Sequence, residues 1–238
     1  MYDPAPAHAR GLFVTATDTE VGKTFLAGAI LAALVARGEH AVPYKPVVTG
    51  VDEPQPDLPT DPEVLAAAAG GTLDPLEVTA YRFGPAVSPH LAAEEHGERI
   101  EAAALIRRAR ELGEGADALI VEGAGGLLVP LNDTLVMRDL MVMLGLPVVI
   151  AARPGLGTIN HVLLTLESAR SAGLDVRGVV LTPWPEHPTE MQRSNRDTIA
   201  MLGEVEVTTL ARAEHATPRA LAAVGRSLPL DAWLPPRG

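Results

Sequence analysis

The sequence predicts an α/β fold: a mostly parallel β-sheet flanked by helices on both faces, in a single domain over residues 1–238. Three observations predict it. Short continuous apolar runs recur along the chain, as strands buried on both faces require. Helical patterns sit between them, and strands that alternate with helices pair in parallel through right-handed crossovers. Gly22-Lys23-Thr24 stands between the first apolar run and the first helical pattern. That strand–loop–helix order makes the fold the phosphate-loop NTPase type.

Each element has its own signal. Strands are expected over residues 12–15, 42–47, 118–121, 147–152 and 176–181, with a weaker one near 205–209. Helices are expected over 25–37, 99–112, 133–144 and 159–172. They stop at Gly38, Gly113, Gly145 and Gly173, where a C′ glycine would end them. The Pro/Asp-rich stretch 51–61 reads as a mobile loop. Residues 1–10 read as flexible, and 228–238, with three prolines, as an extended tail.

Composition bounds the chemistry. Hydrophobic residues make up 47% of the chain, which is globular rather than disordered. Aromatics are only 3%, so the core rests on Val, Leu, Ile and Ala. With no cysteine, disulfides, thiolate metal sites and cysteine nucleophiles are excluded. A net charge of −11 disfavours a nucleic-acid surface, which needs basic patches. No apolar run approaches the roughly 18–20 residues that span a bilayer, and no leader pattern opens the chain. The expectation is a cytoplasmic protein with neither nucleic-acid nor membrane partners.

The chemistry is expected at the carboxyl ends of the strands. Amides at a helix start face phosphate oxygens, and the helix dipole favours anions there. Lys23 would add a full charge, and the Thr24 hydroxyl would join a Mg²⁺ shell. The loop departs from the standard pattern, because Thr17 stands where a glycine is usual. Lys45, in Tyr44-Lys45-Pro46-Val47-Val48-Thr49-Gly50, would project into the same crevice as a second cation. Glu122 ends a buried strand before Gly123-Ala124-Gly125-Gly126, the place of a metal-binding carboxylate. Asp61, before Pro62, reads from local sequence as a helix cap. Ser88-Pro89-His90 reads as no more than a turn. Gly157-Thr158-Ile159-Asn160 opens a helix after a strand, a second anion-friendly start. His161 reads as a packing or capping residue, and the other histidines lack metal spacing. No Ser/His/Asp constellation is present.

Together these segments closely resemble the dethiobiotin synthetases over roughly residues 11–200, in order and spacing. The matching blocks are Thr17-Asp18-Thr19-Glu20-Val21-Gly22-Lys23-Thr24, Lys45 to Gly50, Glu122 to Gly126, and Gly157 to His161, with Ser88-Pro89 also typical. The resemblance implies an ATP site of Thr19, Glu20, Val21, Gly22, Lys23, Thr24 and Phe25. Asp61, Glu122, Gly123, Ala124 and Gly125 belong to it, and Thr182 and Pro183 stand at the base. It implies catalytic roles for Lys45 and Lys23. It implies Mg²⁺ on Thr24, Asp61 and Glu122, which replaces the cap reading of Asp61. Thr49, Ser88, Gly157, Thr158, Ile159 and Asn160 would meet substrate, the last four across a homodimer interface.

Two departures from the family stand out. Ala16 replaces the usual opening glycine, where a positive φ would be costly. Thr182-Pro183 replaces Asn-Asp, and a threonine cannot make the paired hydrogen bonds of a side-chain amide to a base. The implied reaction joins 7,8-diaminononanoate and CO₂ with ATP through a carbamic–phosphoric anhydride, closing a ureido ring. Substrate groups do the attacking, so the protein supplies position and charge. Lys45→Ala is expected to cut turnover with little loss of folding. The alternative is a switch ATPase of the partition or division-site type, which shares the fold but carries a loop lysine where this chain has Asp18. A binding-only module is a further class. The related amidoligases of cobalamin synthesis need a nucleophilic cysteine.

Overall fold

The computed structural model describes residues 10–53, 58–213 and 215–234. Its strands are β1 (Gly11–Ala16), β2 (Ala41–Thr49), β3 (Thr79–Phe83), β4 (Ala118–Glu122), β5 (Val148–Ala152), β6 (Val176–Trp184) and β7 (Val207–Ala211). They form one seven-stranded sheet in the order β3-β2-β4-β1-β5-β6-β7. Every neighbouring pair is parallel.

A period-two alternation sends one apolar run to both faces of the sheet. In β1, Leu12, Val14 and Ala16 join one core while Phe13 joins the other. In β4, Ala118 and Ile120 point one way and Leu119 and Val121 the other. The first core is closed by α1 (Lys23–Ala36), α2 (Asp61–Ala68), α8 (Pro218–Gly225) and α9 (Leu230–Trp233). The second is closed by α3 (Pro89–Glu95), α4 (Ala102–Gly113), α5 (Met137–Leu144), α6 (Thr158–Ser171) and α7 (Glu190–Gly203). Among the described residues, no helix is long and apolar enough to cross a membrane.

The topology positions the site. From β1 the chain passes through α1 to β2, on one side of the sheet. From β4 it passes through α5 to β5, on the other side. Because β1 and β4 are neighbours, a crevice opens where their carboxyl ends diverge.

Several elements differ from the sequence reading. The expected helix at 133 begins at Met137, because Pro130 and Val136 form an antiparallel bridge first. Ser88-Pro89-His90 is a helix start rather than an isolated turn: Pro89 opens α3 with Ser88 at its N-cap. The expected tail is packed instead. Leu228, Leu230, Trp233 and Leu234 are buried in the α1-side core. Burying that apolar set outweighs the extended bias of Pro229. The expectations for residues 1–9, for 54–57 in the Pro/Asp-rich loop and for 235–238 lie outside the described residues.

Candidate active site at the carboxyl edge of the sheet

The loop from β1 to α1 is built on glycine where the backbone demands it. Gly22, the N-cap of α1, has φ 91°, a left-handed conformation that other residues adopt at a cost. Ala16 does not: it ends β1 buried, and the loop's positive φ at a non-glycine falls at Glu20, with φ 55°. The alanine is therefore accommodated without the strain expected of it. Thr17 N–H donates to the Ala151 carbonyl at 3.1 Å, tying the loop to β5. No side chain caps α1, which leaves its first amides turned to the crevice. Lys23 folds back, its Nζ donating to the Asp18 carbonyl at 2.8 Å.

Register places the next two groups. Tyr44 pairs with Val121, so Lys45 and Glu122 follow side by side on adjacent parallel strands. Both continue the α1-facing set, Ala41 on β2 and Ala118 and Ile120 on β4. The strand β2 runs on to Thr49 beside β3, so Lys45 lies within the strand rather than at its end. Lys45 Nζ donates to Glu122 Oε1 at 2.7 Å and to Asp61 Oδ2 at 2.5 Å. Thr24 Oγ1 donates to the same Glu122 Oε1 at 2.8 Å. Glu122 Oε2 is buried without a hydrogen-bond partner.

Asp61 arrives from α2 and does not cap it. Thr60 is the N-cap, and its N–H donates to the Glu63 carboxylate at 2.7 Å in a capping box. With that role filled, Asp61 turns to Lys45. The neighbouring residue took the cap that local sequence had assigned to Asp61.

Burial and charge set the electrostatics. Lys45 is 4% exposed, Glu122 1% and Lys23 7%. Burial works against the Lys45 charge, but Glu122 and then Asp61 outweigh it and hold its pKa above the ordinary value. Burial likewise raises Asp61, and Lys45 overrides it, so its carboxyl sits below the usual range. Burial pushes Glu122 up more than Lys45 draws it down. Lys23 makes no ion pair with these carboxylates, and burial lowers it to about 8.

A cleft of about 1260 Å³ opens over these groups. It gathers Thr19, Glu20, Gly22, Lys23, Thr24, Phe25, Lys45, Thr49, Asp61, Ser88, Glu122, Ala124 and Gly125. Val21 is buried behind the loop, and Gly123 packs on Phe13, where a Cβ would come within 3.0 Å of the ring. Thr182 is buried against Gly22 and Pro183 is exposed, neither lining the cleft. Gly157, Thr158, Ile159 and Asn160 start α6 outside it. Their preceding loop is nonetheless tied to the phosphate loop: Arg153 donates to the Thr19 carbonyl at 3.2 Å. His161 is exposed within α6. Sequence reasoning missed Arg82 and Glu53 in the cleft wall. Arg82 lies on the edge strand β3, whose mixed polarity carries no strong apolar signal.

The arrangement can gather anions at two lysines and offers hard oxygen donors beside them. A family described as an AAA domain matches residues 10–215. An ATP-dependent dethiobiotin synthetase of an Anaeromyxobacter species is 42% identical over 206 residues, covering 82% of this chain and 91% of the relative. That of Bacillus subtilis is 34% identical over 198 residues, covering 83% and 85%. Solved structures share the fold at far lower identity. The cell division ATPase MinD of Pyrococcus furiosus superposes with a TM-score of 0.54 at 15% identity, covering 91% of this chain and 97% of that one. MinC:MinD of Aquifex aeolicus gives 0.56 at 13%, covering 92% and 95%. Those structures show the phosphate-loop fold alone. The curated relatives go further, matching along most of their own length, and the chain belongs to the family of ATP-dependent dethiobiotin synthetases, ligases of biotin biosynthesis.

Proposed function

We propose that the cleft converts 7,8-diaminononanoate, CO₂ and ATP to dethiobiotin, ADP and phosphate. One observation carries this reading: a buried lysine, Lys45, stands beside a phosphate loop with two carboxylates on its ammonium. A nucleotide site alone has no need of that second cation. In the reaction, one substrate amine captures CO₂ as a carbamate. A carbamate oxygen attacks the γ-phosphorus of ATP, and ADP leaves. The second amine then attacks the carbonyl of the mixed anhydride, closes the ureido ring and expels phosphate. Lys45 and Lys23 gather the anionic carbamate and triphosphate, which would otherwise repel each other.

Residues 19–25 would hold the phosphates, with Gly123, Ala124 and Gly125 closing over them and Thr182-Pro183 near the base. Thr49 and Ser88, both on the cleft wall, would orient the diamine. Gly157, Thr158, Ile159 and Asn160 lie outside this cleft, which supports their service to a partner protomer's substrate in a homodimer. The donors Thr24, Asp61 and Glu122 are all oxygen, and Glu122 Oε2 is buried and unpartnered. That set fits Mg²⁺, an ion that takes few protein ligands and shares its shell with phosphate and water. When bound, Mg²⁺ would neutralise charge on the β- and γ-phosphates. A cytoplasmic enzyme without nucleic-acid or membrane partners completes the proposal.

The test is phosphate release from ATP with and without diamine and bicarbonate, the product identified by mass. Release that needs both, with a product heavier by the ureido carbonyl, supports the ligase. Release indifferent to diamine but stimulated by DNA or lipid would replace it with the switch-ATPase reading that the fold also permits.

A further inference from the structure

Lys45 does more here than wait for substrate. Its ammonium lies 2.5 Å from Asp61 Oδ2 and 2.7 Å from Glu122 Oε1. These are the carboxylates proposed to hold a divalent cation, and a role for Lys45 toward that cation rests on the same reading. Glu122 Oε1 already accepts from Lys45 and from Thr24, while Oε2 is buried with no partner. Without a cation between them, the buried Glu122 and the part-exposed Asp61 would repel each other. Lys45 is the ammonium in direct contact with this pair, and Lys23 acts on it only from farther off.

We infer that Lys45 is an internal stand-in for the divalent cation, occupying its carboxylates in the free enzyme and being displaced toward the substrate when the cation binds. Electrostatics drives the exchange. A divalent ion seated on Asp61, Glu122 and the Thr24 hydroxyl would lie within a few ångströms of the ammonium. Like charges at that range, with Glu122 1% exposed, repel strongly. The four-carbon stem lets the ammonium swing while its strand stays fixed. Lys45 lines the cleft together with Thr49, so a displaced ammonium moves into the space where a carbamate would form. The cation therefore binds weakly until phosphate oxygens complete its shell. The lysine, in turn, is delivered to the reacting groups only once the metal is in place. Linkage makes the effect reciprocal: whatever draws Lys45 off its carboxylates tightens the metal.

The experiment is Mn²⁺ binding to the full chain at neutral pH without nucleotide, read from the electron paramagnetic resonance of free Mn²⁺. Lys45→Met keeps the stem's bulk and removes the competitor, and it is expected to bind Mn²⁺ about tenfold more tightly than the parent. Glu122→Gln is expected to bind it more weakly. Equal or weaker binding by Lys45→Met, with Glu122→Gln impaired, overturns the inference and leaves the metal site standing. Unimpaired Glu122→Gln overturns the metal site and the inference with it. Should Lys45→Met fail to fold, lysine ¹⁵N resonances of the parent protein decide. Saturating Mg²⁺ must shift the Lys45 Nζ signal, and an unmoved signal rejects displacement.

Discussion

Lys23 and Lys45 are both buried lysines, and their partners separate them. Lys45 has two carboxylates, whereas Lys23 donates to a backbone carbonyl. The sequence reading expects Lys45→Ala to spare folding, but burial of the ion pair argues otherwise. Truncation strands Glu122 in the interior, so the variant is expected to lose about 3–5 kcal/mol in urea unfolding as well as its turnover. Lys23 runs the other way. Its folded pKa of about 8 lies below the ordinary lysine value of 10.5. Between these limits the unfolded chain binds more protons, so stability from this group rises with pH through that window. Below it the buried charge costs free energy. Lys23→Met is therefore expected to raise the stability of the free protein by about 3 kcal/mol at neutral pH, while abolishing protection by ATP. Glu20 carries a third cost, a left-handed backbone at an exposed residue. Glu20→Gly should add about 1 kcal/mol of stability, measurable as a higher urea midpoint.

Helix packing decides where the phosphate loop points. The helix α8 lies so close to α1 that a Cβ on Gly225 would stand 2.2 Å from the Ala29 carbonyl oxygen. Gly225→Ala should cost about 1–3 kcal/mol by forcing the two helices apart, read as a lower thermal midpoint. The sequence revealed elements in proportion to their burial. The strands β1, β4 and β5 are buried throughout and stand out as continuous apolar runs. The edge strand β3 and the polar helix α7, which buries little beyond Asn195 and Ile199, leave no such trace. In the site, Glu122 was legible because it ends a buried apolar strand, and Lys45 because a charge interrupts an apolar run. Asp61 was legible only through the family resemblance and not from local pattern, since its partner is 16 residues away and Thr60 holds the cap.

Across the whole molecule the sheet supplies position and the termini of the core supply closure. The divergence of the chain after β1 and β4 brings the loop, Lys45 and Glu122 to one edge, a long-range fact that no local pattern encodes. The same holds for the C-terminal segment. Trp233 is fully buried against β6, close to Gly178. Trp233→Ala should cost about 3–5 kcal/mol in chemical unfolding. That segment looked like a tail because its prolines are local and its burial is not.

The contact between Thr182 and Gly22 also gives the protein an optical reporter. The chain has two tryptophans, Trp184 and Trp233. Trp184 is half-buried two residues beyond Thr182, whose methyl group lies 3.1 Å from where a Cβ on Gly22 would stand. A ligand at the loop is expected to reach Trp184 through Thr182, while Trp233 is fully buried in the α1-side core. Nucleotide titration should change intrinsic fluorescence in the parent and in Trp233→Phe, and leave it flat in Trp184→Phe.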